Sequence, residues 1–228
     1  KKFQWKKYHL HTKIVLSTTG FLIIGGAVLF LILEKNNVLA GMPVKEQILC
    51  SLFHSVTART AGFNTTDTGA LTEGSKLVTM ILMFIGGSPG STAGGMKTTT
   101  FSVLILNAIA TFRSQENAGA FGRRLEYHVI KNAATIAMLY FALFFGGGIA
   151  ISVYEGLPLL NCLYEAASAV GTVGLTLGIT PELHVFSQVV LIILMYLGRV
   201  GGLTLIYAVF SDKNKRKARL PLDKIIVG

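Results

Sequence analysis

Two related stretches decide the fold of this chain: residues 57–65, Thr-Ala-Arg-Thr-Ala-Gly-Phe-Asn-Thr, and residues 169–176, Ala-Val-Gly-Thr-Val-Gly-Leu-Thr. An offset of 112 residues, without gaps, superimposes them and extends the match in both directions. Identical residues then align in pairs: Cys50 with Cys162, Thr60 with Thr172, Gly62 with Gly174, residues 81–83 with 193–195, Gly86 with Gly198 and Gly90 with Gly202. Several identities in one ungapped register indicate an internal repeat.

The composition around these stretches is that of a membrane protein. Of the 228 residues, 51% are hydrophobic and only 14% are charged, whereas soluble domains carry about 25% charged residues. The hydrophobicity excludes a disordered chain, and two cysteines in this length exclude a disulfide scaffold. We therefore expect a chain that crosses the bilayer several times.

The basic residues indicate the orientation in the membrane. The formal net charge is +10, and most of the basic residues lie in three clusters: Lys1, Lys2, Lys6, Lys7 and Lys13; Arg113, Arg123, Arg124 and Lys131; Lys213, Lys215, Arg216, Lys217, Arg219 and Lys224. The positive-inside rule places all three clusters, and hence both termini, in the cytoplasm. Nucleic-acid binding is the less favoured alternative, because apolar runs separate the clusters and the charges do not form one aromatic-interleaved basic surface.

Apolar runs divide each repeat into the same parts. Residues 14–33, 132–154 and 185–210 form runs in which Arg199 is the only charge, each sufficient to cross a hydrocarbon core of about 30 Å. The runs 44–56 and 158–168 are too short to cross and predict half-crossing helices, with Pro158 at a first helical position. Each repeat thus consists of a span, a short helix, a glycine-containing extended segment and a span. Because both repeats start and end in the cytoplasm, they are parallel.

The extended segments have the properties of a cation filter. Non-helical backbone at membrane depth is tolerated where it is buried in protein or lines a wet cavity, and there its carbonyls can replace the hydration shell of a cation. A glycine in each segment permits the positive φ that turns successive carbonyls to one side. The short helices end beside these segments, so their negative dipole ends favour a cation. The alternative is an ordinary loop at the membrane edge.

A glycine-rich stretch interrupts the run from Lys76 to Phe112. Residues 86–98 contain five glycines and a proline, which would cost several kcal/mol in a helix, at about 1 per Gly and about 3 for Pro. We expect two half-helices joined by an intramembrane loop that faces a wet cavity below the filter, since discontinuous helices mark ion pathways. A Walker A loop is disfavoured because Met96 separates Gly95 from Lys97 and no strand precedes it. A cytoplasmic linker is the other alternative.

Three charged residues lie close to these predicted segments. Arg199 falls about 20 Å along the last span, near the midplane, where an unpaired charge is costly. It either lines the pore below the filter or bonds to helix-end carbonyls. Arg59 precedes the first filter stretch and either contributes to the pore or braces the short helices. Glu165, in the second short helix, either holds the filter by hydrogen bonds or plays no part in it.

Tandem repeats of span, pore helix, single-glycine filter and span resemble the Trk/Ktr/HKT superfamily, most closely the potassium-translocating membrane subunit of the bacterial Ktr type. The resemblance covers nearly the whole chain as the third and fourth of four repeats around one pseudo-fourfold pore. It implies coordination of K+ by backbone carbonyls in two filter stretches, Thr60, Ala61, Gly62 and Phe63 with Thr172, Val173, Gly174 and Leu175. Neither stretch matches the Thr-Val-Gly-Tyr-Gly filter of potassium channels, which leaves strict selectivity over Na+ open.

The resemblance also implies a gate and an assembly. The gate loop would comprise Gly86, Gly87, Ser88, Pro89, Gly90, Ser91, Thr92, Ala93, Gly94, Gly95, Met96 and Lys97, with Arg199 as the pore barrier. The partners would be a second protomer, a cytoplasmic nucleotide-binding regulatory ring and an N-terminal half carrying two further repeats, with Na+ as a possible co-activator. Because the chain begins at Lys1 rather than a methionine, we expect a fragment or a processed product.

The predicted protein is therefore an all-α membrane protein of the plasma membrane, with two parallel repeats forming half of a cation pore. Its expected divisions are a basic segment (1–13), the first pore repeat (14–112), a cytoplasmic connection (113–131), the second pore repeat (132–210) and a basic tail (211–228). The predicted function is uptake of K+ or another monovalent cation. A secondary carrier that binds its solute at the broken helix is the alternative. No catalytic constellation can be assembled, so no enzyme activity is expected.

Overall fold

The computed structural model describes residues 7–115 and 117–201, which are mainly helical, as predicted. The helices are α1 (Leu10–Glu34), α2 (Val44–Thr57), α3 (Glu73–Phe84), α4 (Thr98–Phe112), α5 (Tyr127–Glu155), α6 (Leu159–Val170) and α7 (Val185–Val200), and a 3₁₀ turn covers Thr180–Glu182. A long helix, a short helix, an irregular segment and a further helix follow one another twice, as α1, α2 and α3 and again as α5, α6 and α7.

The long helices α1 and α5 contain two of the predicted spans. They comprise 25 and 29 residues, and both are long and apolar enough to cross a bilayer. The short helices α2 and α6 have 14 and 12 residues, about two-thirds of the length that a crossing requires. Pro158 is the N-cap of α6 rather than its first helical residue, so the prediction for this proline was wrong by one position.

The third predicted span, residues 185–210, differs from the structure at its end. Helix α7 stops at Val200, and Gly201 follows with φ of +88°. This left-handed conformation is open to glycine at little cost and terminates the helix. Arg199 consequently lies in the last turn of α7, not in the middle of a continuous helix. Residues 202–210 of the predicted span and the predicted tail, 211–228, fall outside the described residues.

The connection between the repeats contains two short strands that an all-α fold did not anticipate. β1 (Gly119–Ala120) pairs antiparallel with β2 (Arg123–Arg124). The two residues between them, Phe121 and Gly122, have φ of +53° and +74°, the backbone of a primed hairpin turn. Helix α5 then begins at Tyr127, inside the predicted connection of residues 113–131.

The larger of two hydrophobic clusters in the described chain extends across both halves. Helix α1 packs on α2 and helix α5 packs on α6, while α3 contacts both α1 and α6 and so joins the halves. Met83, Tyr140, Cys162 and Val170 are fully buried where α3, α5 and α6 meet. This packing fixes the carboxyl ends of the short helices α2 and α6, from which the two filter stretches start.

Candidate functional site

The first predicted filter stretch leaves the end of α2 and is held by a side chain of that helix. Thr57 Oγ1 donates to Phe63 O at 2.5 Å and accepts from Phe63 N at 2.8 Å. The backbone between them is left-handed at Thr60 (φ +71°) and at Gly62 (φ +80°), but not at Ala61. Alternation of left-handed and ordinary φ lets successive peptide carbonyls point to the same side.

The second stretch leaves the end of α6 with the same backbone. Thr172 has φ of +49° and Gly174 has φ of +95°, with Val173 between them in the ordinary range. Ser168 of α6 holds it, because Ser168 O accepts from Val173 N at 2.9 Å and Ser168 Oγ accepts from Gly174 N at 3.2 Å. The repeat therefore preserves the conformation of the stretch although different side chains stabilise it.

The structure brings the two stretches into direct contact. Thr60 Oγ1 donates to Gly171 O at 3.2 Å. A Cβ atom added to Gly62 would lie 2.2 Å from Val173 O, and one added to Gly174 would lie 3.8 Å from the Gly62 Cα. The two glycines that the 112-residue offset aligns are thus neighbours in space, with backbone close to backbone.

Glu165 anchors the outer end of the second stretch. This carboxylate is only 4% exposed. Its Oε1 accepts from Thr176 Oγ1 at 2.8 Å and from Leu177 N at 2.9 Å, and its Oε2 accepts from Thr180 Oγ1 at 2.7 Å. Its counterpart in the first repeat is Phe53, so this anchor is specific to the second repeat. Of the two alternatives for Glu165, the structure shows the hydrogen-bonding one.

The predicted gate loop, residues 86–97, lies entirely outside helices and links α3 to α4. Its two ends are held side by side, because Ile85 and Met96 form a parallel bridge. Gly86 N donates to Met96 O at 2.8 Å, and Met96 N donates to Phe84 O at 3.1 Å. The glycines allow the two ends of the loop to approach one another closely, because a Cβ atom on Gly86 would lie 2.0 Å from Gly94 O.

The gate loop contacts both filter stretches or their flanks. Gly94 N donates to Thr172 Oγ1 at 3.1 Å. At the other end of the loop, Arg59 Nη2 donates to Gly86 O at 3.2 Å. Arg59 therefore braces the loop, whereas the sequence suggested the short helices as its partners.

Two cationic side chains, Arg199 and Lys97, lie beside the loop. Arg199 and Lys97 line one cavity of about 300 Å³ together with Ser91, Thr92 and Ala93. Lys97 Nζ donates to Ser91 O and Ala93 O, so this lysine also holds the loop in its folded form. Arg199 is exposed and lines a second cavity of about 520 Å³ whose wall includes Thr172, Val173 and Gly174.

Comparison with known proteins identifies the family. The family model TrkH, described as "Cation transport protein", matches residues 10–217. The chain belongs to the TrkH family. That family consists of transport proteins and not of enzymes.

Two individual relatives in the TrkH family can be aligned with nearly the whole chain. The Potassium/sodium uptake protein NtpJ of Enterococcus hirae is 39% identical over 230 residues, which cover 98% of this chain and 51% of that protein. The Ktr system potassium uptake protein B of Bacillus subtilis is 36% identical over 230 residues, 100% of this chain and 52% of that protein. The chain thus spans about half the length of the curated relatives it matches.

A solved structure shows the same fold. The crystal structure of the potassium transporter TrkH from Vibrio parahaemolyticus superimposes with a TM-score of 0.73 at 22% identity, covering 87% of this chain and 45% of that chain. At this identity the likeness concerns the fold alone. The arrangement of helices described above is therefore an arrangement found in the TrkH family.

The predicted site residues of this TrkH-family chain do not all line one cavity. Thr172, Val173, Gly174 and Leu175 line the cavity that Arg199 also lines. By contrast, Ala61 and Phe63 of the first stretch are exposed, Phe63 by 71%. In the loop, Gly94, Gly95 and Met96 are buried, whereas Gly90, Ser91 and Thr92 form an exposed tip. In residues 7–115 and 117–201, no group of three or more His, Cys, Asp or Glu residues is placed to hold a metal ion.

Two features of the site were missed by the sequence reasoning. The left-handed φ of Thr60 and Thr172 was not expected, because only glycine adopts that region readily. The alignment of the two threonines in the repeat was the available signal. Lys97 was assigned to the loop but not to the cationic pair with Arg199; its position as the last residue before α4 gave no indication of this proximity.

Proposed function

We propose that this chain supplies two of the four filter segments of a K+ uptake pathway. The observation that carries the proposal is the matched pair of filter stretches, in which Gly62 and Gly174 contact one another and both stretches repeat the same alternation of φ. Backbone carbonyls from such segments can replace the hydration shell of a monovalent cation. The potassium uptake named for the relatives supports K+ as the cargo.

The remaining two segments come from outside this chain. The chain spans about half of its curated relatives, and we propose that an N-terminal half with two further repeats completes a pseudo-fourfold pore. The exposed Ala61 and Phe63 would face those repeats. The protein would reside in the plasma membrane as a multi-pass protein with both termini in the cytoplasm, in accordance with its three basic clusters.

The gate loop forms the barrier in this proposal. The hydrogen bond from Gly94 N to Thr172 Oγ1 supports this role, because loop backbone at the filter would occupy space that a cation needs. Arg199 and Lys97 add positive charge beside the loop, and two like charges at a low-dielectric constriction raise the energy of a cation there. Opening would move the loop away and lower both the steric and the electrostatic barrier.

Regulation and assembly follow the Ktr pattern in this proposal. The protein would form a homodimer with one pore per protomer, and a cytoplasmic nucleotide-binding ring would dock on the connection, 113–131, and the tail, 211–228. The ligand state of the ring would bias the position of the gate loop. Na+ would bind as a co-activator rather than as cargo, and it would raise K+ uptake without being transported in proportion.

Radiotracer uptake by the full-length protein in proteoliposomes tests the function. We expect 86Rb+ uptake that unlabelled K+ inhibits and that organic solutes leave unchanged. Uptake inhibited by an organic solute would instead favour the secondary carrier. Absence of Rb+ and Na+ uptake from correctly folded, correctly assembled protein would refute the proposal.

A further inference from the structure

The filter and the gate loop are joined by two hydrogen bonds, which we call the loop–filter contact. One runs from Gly94 N to Thr172 Oγ1 (3.1 Å) and the other from Arg59 Nη2 to Gly86 O (3.2 Å). Gly94 and Gly86 lie near opposite ends of the loop, and Arg59 and Thr172 belong to different repeats. The loop is therefore held at both ends by residues that flank or form the two filter stretches.

The fit at Thr172 is close. A Cβ atom on Gly94 would lie 2.4 Å from Thr172 Oγ1, 2.7 Å from Thr172 Cγ2 and 2.9 Å from Gly171 O. Any side chain at Gly94 would thus push the loop away from the filter. Gly94 is buried and Ala93, the residue before it, is partly buried. Separation of the loop from Thr172 would expose both.

The described residues offer the guanidinium of Arg59 few other hydrogen-bond acceptors. Its Nε is buried and finds no hydrogen-bond acceptor in the part of the chain that the structure describes. A partly buried guanidinium depends strongly on the acceptors that it does reach, because an unpaired buried charge is costly. The carbonyl of Gly86 is such an acceptor, and it is available only while the loop occupies its observed position.

We propose that Thr172 and Arg59 are positioning residues for the gate, and that a cation in the filter weakens their hold on the loop. This inference rests on the proposed function. The hydroxyl of Thr172 accepts the Gly94 N–H and belongs to the stretch that would coordinate the cation. A cation held by the backbone carbonyls of that stretch would repel the positive end of the Gly94 N–H dipole and the guanidinium of Arg59. Filter occupancy and loop contact therefore oppose one another.

Thermodynamic linkage gives this opposition a second consequence. If a bound cation favours release of the loop, release of the loop must favour cation binding by the same factor. Loss of the Thr172 hydroxyl should therefore both expose the loop and raise the apparent affinity for Rb+. Substitution of a residue with a merely structural role would lower the amount of folded protein, but it would not change loop exposure and Rb+ affinity together.

Thiol modification of the loop tests the inference. The probe is Ala93→Cys in full-length protein from which Cys50, Cys162 and every cysteine outside this chain are removed by substitution with Ala. The protein is treated with an impermeant reagent that has access to both sides of the membrane. With Thr172 intact, saturating Rb+ should raise the modification rate at least about fivefold over Rb+-free buffer. With Thr172→Val, the rate should be high in both buffers, and the Rb+ concentration for half-maximal uptake should fall.

Matched variants separate the hydroxyl from other effects. Thr172→Ser keeps the acceptor and should retain the Rb+ response. Thr135→Val is the control outside the filter and the loop, because the exposed Thr135 Oγ1 donates to Lys131 O within α5; it should also retain the response of the thiol. Arg59→Gln should raise the modification rate without Rb+, while Arg59→Lys, which keeps a charged donor, should raise it less.

The outcomes distinguish this inference from the proposed function. If intact protein takes up Rb+ but the thiol reacts at the same rate in both buffers, the inference is wrong and the proposed function stands. A Thr172→Val protein that keeps the full Rb+ response would overturn it equally. If Thr172→Val is not recovered folded, Gly94→Ala replaces it, and a low, Rb+-responsive rate in that variant would overturn the inference. Lack of any Rb+ uptake by intact protein would refute both proposals.

Discussion

Gly62 and Gly174 occupy the same place in their repeats, yet the structure constrains them differently. Both have positive φ, at +80° and +95°, which costs about 1–3 kcal/mol for a residue with a side chain. Only Gly62 also faces backbone at close range, since its Cβ atom would lie 2.2 Å from Val173 O. At Gly174 the nearest atom to such a Cβ is 3.8 Å away. Strain acts at both positions, and a backbone clash acts at one.

We therefore predict an asymmetry between two alanine variants. Gly62→Ala should abolish Rb+ uptake or remove the discrimination between Rb+ and Na+, because Val173 must move away. Gly174→Ala should retain partial uptake, since this substitution introduces backbone strain without a backbone clash. Flux assays on equal amounts of folded protein compare the two. Equal flux and equal ion preference in both variants would contradict the close contact of the stretches.

Glu165 permits a second prediction at the level of single residues. Each hydrogen bond to a buried carboxylate contributes about 1.5–3 kcal/mol, and Glu165 accepts three from Thr176, Leu177 and Thr180. Glu165→Ala should release the outer end of the second stretch and reduce the preference for Rb+ over Na+ several-fold. Glu165→Gln should reduce it less, because the amide can still accept.

A control for Glu165 is available in the same chain. Glu34 is also a buried carboxylate; it accepts from Asn37 Nδ2 and from the backbone and hydroxyl of Thr72, and it clamps the end of α1 to the start of α3. Glu34→Gln should affect the amount of folded protein but not the ion preference. If the Glu34 and Glu165 variants change ion preference alike, the specific role of Glu165 is wrong.

At the scale of elements, the decisive feature is the interruption between α3 and α4. The sequence predicted it because glycine and proline are costly inside a helix, and the structure shows α3 ending at Phe84 and α4 starting at Thr98. The short helices were predictable for a similar reason, since their apolar runs are too short to cross a bilayer. The free-energy cost of glycine and proline in a helix and the length of an apolar run can both be read from the sequence alone.

Other elements depended on contacts that the sequence does not reveal. The left-handed backbone of Thr60 and Thr172 is maintained by the surrounding packing against the threonines' own preference. The end of α7 at Val200 depends on the conformation of Gly201, and glycines within helices are also common in membranes. The approach of Lys97 to Arg199 joins two residues separated by about a hundred positions in the chain.

The gate loop and α7 together lead to a prediction about the barrier. Arg199→Ala should raise Rb+ flux, because it removes one of the two positive charges that line the cavity below the loop. Deletion of Gly90–Gly95 should raise flux as well, since it removes the backbone that contacts Thr172. Lys35→Ala, which removes a positive charge at an exposed position after α1, is the control and should leave flux unchanged. Unaltered flux in both test variants would assign these residues to the scaffold only.

At the scale of the whole molecule, the described chain forms half of a proposed ring. The second stretch lines a cavity with α6 and α7, whereas the first stretch presents Phe63 at 71% exposure. A pseudo-fourfold arrangement accounts for this difference, because the first stretch of this half would adjoin a segment of the other half. We expect Phe63 to be buried in the full-length protein. A thiol reagent should therefore modify a Phe63→Cys variant of that protein slowly.

In the pore that we propose, the two stretches direct peptide oxygens at one axis on which a cation rests. A structure of the full-length protein with Rb+ or Tl+, using anomalous scattering to identify the ion, tests it directly. We expect ion density on an axis shared by the segments around Gly62 and Gly174, within coordinating distance of their carbonyl oxygens. Ion density elsewhere in the membrane, with these carbonyls turned toward lipid or bulk water, would contradict it.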